Sequence, residues 1–396
     1  MRRVVLVYAA MAMGLYVAPA LAKEAIATPY ELVRTLQRVQ DRIALGSTQA
    51  HHAQRKLLQH IAGRFSSVDP VAWREPRNVR ALAIFLLSGG NPKIGRRIYA
   101  GGIAEESDRE LIKAVLAYAE GRKSTATKLL SAIEPKSLPA SLGGHVALVK
   151  SALYHKTSPK KSMAYLELAR LLMPGTLIEE AALRRGVVAA GDEGNLERFE
   201  RLAAQYLNRF SSSVYSADFD AKFSLYLVKL SFLEVAARQS RFENMVVALE
   251  PVRLRRLYLS LARNAVVAGQ TSHASFAASR ASSMSPPLSN ELERARAYEA
   301  MAIVTKDPNA AMSQLKRVDL AKLAEPDRQI VSAAIAVSEK LTRIPSIDEP
   351  EPVRSPHGSS EAKPADTATG SKPDGVAARA EKLIEVVDDI LMGKMQ

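Results

Sequence analysis

Between residues 30 and 340 the apolar side chains fall at helical spacing almost without a break, and the breaks recur at similar intervals. Leu32, Val33, Leu36, Val39, Ile43 and Ala44 make the i, i+3, i+4, i+7 stripe of one helix over Tyr30–Leu45, which Gly46 and Ser47 end. A second helix is predicted over Gln49–Phe65, with Leu57, Leu58 and Ile61 inward. A third runs over Asn78–Leu87 and stops at Ser88-Gly89-Gly90. No run alternates with period two between Asn-Gly or Asp-Gly turns, so no β-hairpin is predicted.

From about residue 78 the helices come in pairs. Small or polar turns fall at Gly90, Gly121, Lys156, Asp192, Ser240, Gly269 and Lys306, with gaps of 31, 35, 36, 48, 29 and 37 residues. Most lie near the ~34 residues of a tetratricopeptide-type helix pair. Small residues precede the turns, as in Leu116–Gly121, Val187–Asp192 and Val266–Gly269, and let two helices approach closely. Glycine supplies the left-handed conformation that ends the first helix of a pair. Prolines 135, 174, 286 and 287 separate successive pairs. The expected fold is all-α: a tetratricopeptide-like array over 78–342, preceded by a helical segment over 23–77. An irregular helical bundle is the competing reading. The 48-residue gap is the exception to the period, and it reads as one long helix over about 218–237.

The two ends differ from this body. Arg2 and Arg3 precede an uncharged, mostly apolar run over Val4–Val17, and Ala20-Leu21-Ala22 has the small-x-small form of a signal peptidase site. Residues 1–22 are therefore read as a secretory signal cleaved after Ala22, with an uncleaved anchor as the alternative. No later stretch reaches the ~18 apolar residues of a span, so the mature chain is expected to lack a transmembrane segment. Residues 343–375 hold six prolines among Ser, Glu, Asp, Gly and Lys, the composition of a disordered linker. Over 376–392 a helical stripe returns through Val376, Ala380, Leu383, Ile384, Val387, Ile390 and Leu391. A helix this short depends on packing. It either caps its own array or enters a groove on another chain.

Composition narrows the chemistry. The chain is 47% hydrophobic, too apolar for wholesale disorder. It has no cysteine, which excludes disulfides, thiolate metal sites and a Cys nucleophile; an exported chain without cysteine fits a bacterial periplasm. None of the seven histidines sits in an H-E-x-x-H pattern or at metal-ligand spacing to an acid. His52, Lys56 and His60 share a helix face as three potential cations, a poor metal site. The stretch Gly90–Arg97 superficially resembles a P-loop, but it lacks the Lys-Ser/Thr pair and follows no strand, so it reads as a turn between helices. Glu105-Glu106, Glu179-Glu180 and Asp388-Asp389 are adjacent on helices, about 100° apart, and cannot face each other as an acid/base dyad. No enzyme and no cofactor are expected.

The net charge is +14, falling to +12 without Arg2 and Arg3. Basic residues cluster at Arg96-Arg97, Lys160-Lys161, Arg184-Arg185 and Arg253/Arg255/Arg256. Nucleic-acid binding would want interleaved aromatics, and only 6% of residues are aromatic, so no nucleic-acid partner is expected. Solvated helix faces account for most of these clusters. The functional alternative is salt-sensitive attraction to an acidic partner or to the anionic envelope.

Two segments carry a family resemblance: Pro29–Asp41, leading through Leu45-Gly46 to Gln54-Arg55, and Asn78–Pro92. With the signal, the helix pairs and the Pro-rich tail, they resemble the MotC family, periplasmic motility proteins of rhizobia and related alphaproteobacteria. The resemblance implies a role in flagellar rotation beside the stator, with the periplasmic part of the stator protein MotB as partner, and it implies no catalytic residues. On the resemblance alone, the helix carrying Tyr30, Arg34, Arg38 and Asp41 is the expected contact. Arrays of helix pairs also expose the inner helix of each pair, which adds Tyr118, Tyr154 and Tyr226. For each of these tyrosines taken singly, a core ring with its hydroxyl at the rim is the preferred reading. An envelope enzyme or accessory module, such as a cell-wall hydrolase, and a periplasmic assembly chaperone are the alternative functions.

Overall fold

The computed structural model describes residues 27–102 and 105–342. The expected signal (1–22), linker (343–375) and terminal helix (376–392) lie outside the described residues. Within them there are seventeen α-helices, four short 3-10 turns and no strand, so the chain is all-α. No helix among the described residues is long and apolar enough to cross a membrane.

Local chemistry sets the helix starts. Six α-helices begin with proline at their first turn, at Pro29, Pro76, Pro92, Pro159, Pro251 and Pro308. Proline lacks a donor that would go unused there, and its φ is already helical. The first helix also carries a capping box: the Thr28 hydroxyl accepts from Glu31 N–H, and Glu31 accepts from Thr28 N–H at 2.7 Å.

The helices pack as antiparallel pairs: α1 (Pro29–Ala44) with α2 (Thr48–Ser66), α3 (Pro76–Leu87) with α4 (Pro92–Ala100), and α5 (Glu106–Ala119) with α6 (Lys123–Ser131). There follow α7 (Ala140–Tyr154) with α8 (Pro159–Leu172) and α9 (Leu177–Asp192) with α10 (Leu196–Phe210). Next are α11 (Ser216–Lys229) and α12 (Ala236–Val246), then α13 (Pro251–Val267) with α14 (Thr271–Met284). The last are α15 (Asn290–Ala302), α16 (Pro308–Leu315) and α17 (Glu325–Thr342). First helices also touch the first helices of the next pair: α7 on α9, α9 on α11, α11 on α13, α13 on α15. Of the Gly90–Arg97 stretch, read as a turn between helices, only Gly90 and Asn91 form the turn; Pro92–Arg97 are already the first turns of α4.

One corner recurs inside the pairs. Gly46, Gly89, Gly121, Gly194 and Gly269 all have positive φ, between 68° and 98°. At each, the next residue's N–H reaches back five residues to a helix carbonyl, as in Arg122 to Ala117 and Gln270 to Ala265, at 2.9 Å in all five. This is the Schellman closure, which satisfies carbonyls that the helix end would orphan.

The long helix expected over 218–237 does not form. The chain turns instead at Ser231, whose φ of +47° supplies the left-handed step without a glycine. A 3-10 turn, Phe232–Glu234, then drives Phe232 and Leu233 fully into the core before α12 starts. Ser240 is therefore inside α12 and not at a turn. With Ser231 as the corner, intervals of 48 and 29 residues become 39 and 38, and the period holds.

The segment before residue 78 is packed into the fold. α1 lies against α3 and also against α9, eight helices later. Val214 N–H donates to Ile43 O at 3.3 Å, the His51 and Tyr215 rings meet edge-on, and a Cβ on Gly46 would strike the Ser212 carbonyl oxygen. Two apolar cores result. The first gathers α1 to α7 around Leu36, Leu82, Phe85 and Ile112; the second runs from α7 to α17 around Phe199, Phe223, Tyr258 and Tyr298.

Candidate partner-binding surfaces

α1 buries Val33, Leu36, Ile43 and Ala44, which leaves Arg34, Arg38 and Arg42, spaced four apart, exposed on the opposite face. Tyr30 is 37% exposed. Its N–H donates to Asn78 Oδ1 at 3.2 Å, while the buried Asn78 amide donates to Ala72 O at 2.9 Å, so one side chain ties the start of α1 to α3. The guanidiniums of Arg34 and Arg77 lie 6.0 and 5.8 Å from the Tyr30 ring centre, within cation–π range. α2 contains no acidic residue and exposes His51, His52, Arg55, Lys56 and His60. Among the described residues, Arg34, Arg38, Arg42, Arg55, Lys56 and Arg64 have no ion-pair partner. Asp41, three residues after Arg38 on the same helix, is half-buried. Burial raises its pKa, against the opposing effect of the Leu177 backbone N–H at the start of α9.

A second surface is concave. Between α7, α8, α9 and α11 lies a groove of about 260 Å³. Ala152, Leu166, Val188 and Ala189 supply its apolar wall, and His155, Arg184, Arg185 and Lys222 its basic rim. Arg184 is fixed from three sides. Its Nε donates to Glu180 at 3.1 Å, its Nη1 to Asp218 at 2.8 Å, and its guanidinium lies 4.9 Å from the Tyr215 ring centre. Glu180, fully buried, also accepts from the Tyr206 hydroxyl at 2.9 Å. Burial opposes the Asp218 carboxylate, but bonds from Lys222 and Arg184 outweigh it and hold its pKa below the ordinary range. Arg185 has no ion-pair partner among the described residues. Desolvation lowers its proton affinity, Tyr118 raises it, and the neighbouring Arg184 lowers it further.

The three array tyrosines have different places. Tyr226 is 8% exposed, its ring lies near Phe199, and its hydroxyl donates to Asp192 at 2.6 Å at the rim of the core. Tyr118 is half-buried and packs against the first core. Tyr154, also half-buried, stacks on Tyr165 with centroids 5.8 Å apart, and Lys161 sits 5.6 Å from its ring centre. The structure thus brings Tyr30, Arg34 and Arg38 together on one helix face, with Asp41 half-buried at its edge, and leaves the three array tyrosines apart from it.

Two of the basic clusters are not solvated faces. Arg253 is 17% exposed and donates twice to Asp220 at 2.6 Å, and Arg255 is 12% exposed and donates to Met284 O at 3.2 Å. Arg184 is likewise engaged, at 17% exposure. Sequence reading passed over their partners, yet a signal was present. Tyr226–Asp192 and Arg184–Asp218 are 34 residues apart and Arg253–Asp220 is 33, about one repeat, so each bond links successive first helices. Among the described residues no group of three or more His, Asp or Glu is placed to hold a metal ion.

Comparison with known proteins gives this surface its context. Residues 1–396 match the family described as "Chemotaxis protein MotC". The Chemotaxis protein MotC of Rhizobium meliloti (strain 1021) is 32% identical over 331 residues, covering 83% of this chain and 76% of that protein. No solved structure matches.

Proposed function

This chain belongs to the MotC family, and on that footing we propose that it is a periplasmic adaptor required for flagellar rotation. It binds the periplasmic part of the stator protein MotB, supports torque generation, and performs no catalysis. The whole-length family match carries this reading and makes the chain a motility and chemotaxis protein. Export follows from the sequence of residues 1–22, with cleavage after Ala22 and a mature chain in the periplasm.

The exposed face of α1 fits such a role. Arg34, Arg38 and Arg42, with Arg55 and Lys56 on α2, are exposed cations without an ion-pair partner among the described residues, and they outnumber the exposed Glu31 of α1, so the field here is positive. A field of this kind steers an acidic partner and speeds encounter, and salt screens it. Tyr30 supplies an aromatic contact at one end.

Deleting the gene is expected to abolish swimming while flagellar filaments still assemble; a deletion strain that swims normally overturns the adaptor role. In binding measured by titration of purified proteins, Arg34→Glu with Arg38→Glu is expected to weaken capture of the MotB periplasmic part about tenfold at low salt. The loss should shrink as ionic strength rises.

A further inference from the structure

We propose that the groove between α7, α8, α9 and α11 is the anchor point of the partner, taking an apolar side chain that projects from an acidic segment. This rests on the stator reading above and adds the site and the chemistry of what enters it.

Three observations carry it. The groove, about 260 Å³, has an apolar wall of Ala152, Leu166, Val188 and Ala189, the size and lining to receive one large aliphatic or aromatic side chain. Its rim is cationic. Arg184 and Lys222 share Asp218, and Arg184 also holds Glu180, whereas Arg185 is exposed without an acid of its own among the described residues. A carboxylate arriving beside Arg185 therefore meets a cation with no ion pair of its own among the described residues, against an apolar wall, and forms a charge-assisted bond there. Charge complementarity thus sets the segment's sign, and the wall sets its anchor. The third observation is continuity. His51, on the basic face of α2, contacts the Tyr215 ring at 5.7 Å, and that ring lies under Arg184 at 4.9 Å. The positive face that steers and the groove that holds are joined through Tyr215.

The two parts make separable contributions. Charges on α1 and α2 act at long range and mainly on the association rate, while filling the groove acts on the dissociation rate. Ala152 is exposed, so Ala152→Trp fills the groove without opening the core. Arg185→Ala removes the uncompensated cation and leaves the Arg184 network in place.

The test is binding of the full mature chain to the periplasmic part of MotB by surface plasmon resonance, with circular dichroism melting as a check on folding. The expected result is native-like melting for both variants. Dissociation should be at least tenfold faster for Ala152→Trp and about threefold to tenfold faster for Arg185→Ala, with association little changed. If the wild-type chain binds and both variants dissociate like it, the groove assignment is wrong and the stator reading stands. Should Ala152→Trp melt early, Arg185→Ala alone decides, by the same criterion. A wild-type chain that fails to bind even at low salt overturns the stator reading itself.

Discussion

The two cores are filled by different means. The first, under α1 to α7, is mostly aliphatic, with Phe65, Trp73 and Phe85 as its buried aromatic residues. In the second, Phe199, Tyr206, Phe210, Phe219, Phe223, Phe242 and Tyr258 form a nearly continuous aromatic ladder. Both regions bury carboxylates, but two in the second are each held by arginine and a tyrosine hydroxyl, Glu180 by Arg184 and Tyr206 and Asp327 by Arg263, Arg294 and Tyr298, whereas Asp108 in the first has Arg80 at 3.9 Å. The difference teaches how one pair architecture tolerates different fillings. Where rings carry the packing, their polar ends need partners, and acids on neighbouring helices provide them.

The largest effect should come from the ladder. Phe223 is fully buried and lies beside Phe199, Phe219 and Phe242. Phe223→Ala is expected to cost about 4 kcal/mol, and Leu82→Ala, at a fully buried site in the first core, about 3 kcal/mol. Denaturant unfolding measures both. Hydrogen exchange should show the first change loosening α9 to α13 before α3 to α5, because each pair is supported chiefly by its neighbours. Equal loosening throughout would show that the cores act as one unit.

Acid distinguishes the regions next. His145, in α7, is buried; burial lowers its pKa to about 4, although a Ser141 carbonyl 2.7 Å from Nδ1 pulls the other way. The unfolded imidazole takes its proton near pH 6.5 and the folded one only near 4. As pH falls through that window, the unfolded chain binds a proton that the folded chain refuses, and stability is lost. The expected loss between pH 7.5 and 5 is about 2 kcal/mol. His145→Gln should remove most of this slope. A smaller part belongs to the second core, where burial also lowers the pKa of His273, whose Nε2 accepts from Leu233 N–H. If His145→Gln leaves the slope intact, acid sensitivity resides elsewhere.

Much of the architecture was legible because it is periodic. Helical stripes, separating prolines and glycine corners are local signals, and they located most of the pairs. Ser231 was missed because its corner uses a left-handed residue with no glycine to mark it, and the run Phe219–Leu233 is apolar enough to read as one helix. The packing of α1 against α9 was not legible either. It depends on accumulated rotation between pairs, and its contacts, such as His51 with Tyr215, join residues far apart in sequence. At the candidate surface, Arg34 and Arg38 came from the family resemblance alone; helix geometry shows only that they share a face. The partners of Arg184 and Arg253 were passed over, because the spacing of about one repeat that marks them has meaning only once the stacking of first helices is known.

That missed corner gives the finest comparison between the regions. Gly121, in the first, has φ of +77° and open space where a Cβ would stand, so Gly121→Ala tests backbone conformation alone. It is expected to cost about 1 kcal/mol. Ser231, in the second, does the same job at φ +47° with a side chain attached, and its hydroxyl accepts from Gln270 at 3.3 Å. Ser231→Gly relieves the left-handed strain, loses that weak bond and adds freedom to the unfolded chain. The net expectation is a gain of about 0.5 kcal/mol, opposite in sign to Gly121→Ala. Paired denaturant melts of the two variants measure it. A clear loss at Ser231 would mean that the hydroxyl's bond to Gln270, rather than backbone geometry, holds this corner, and that the two regions turn their helices by different means.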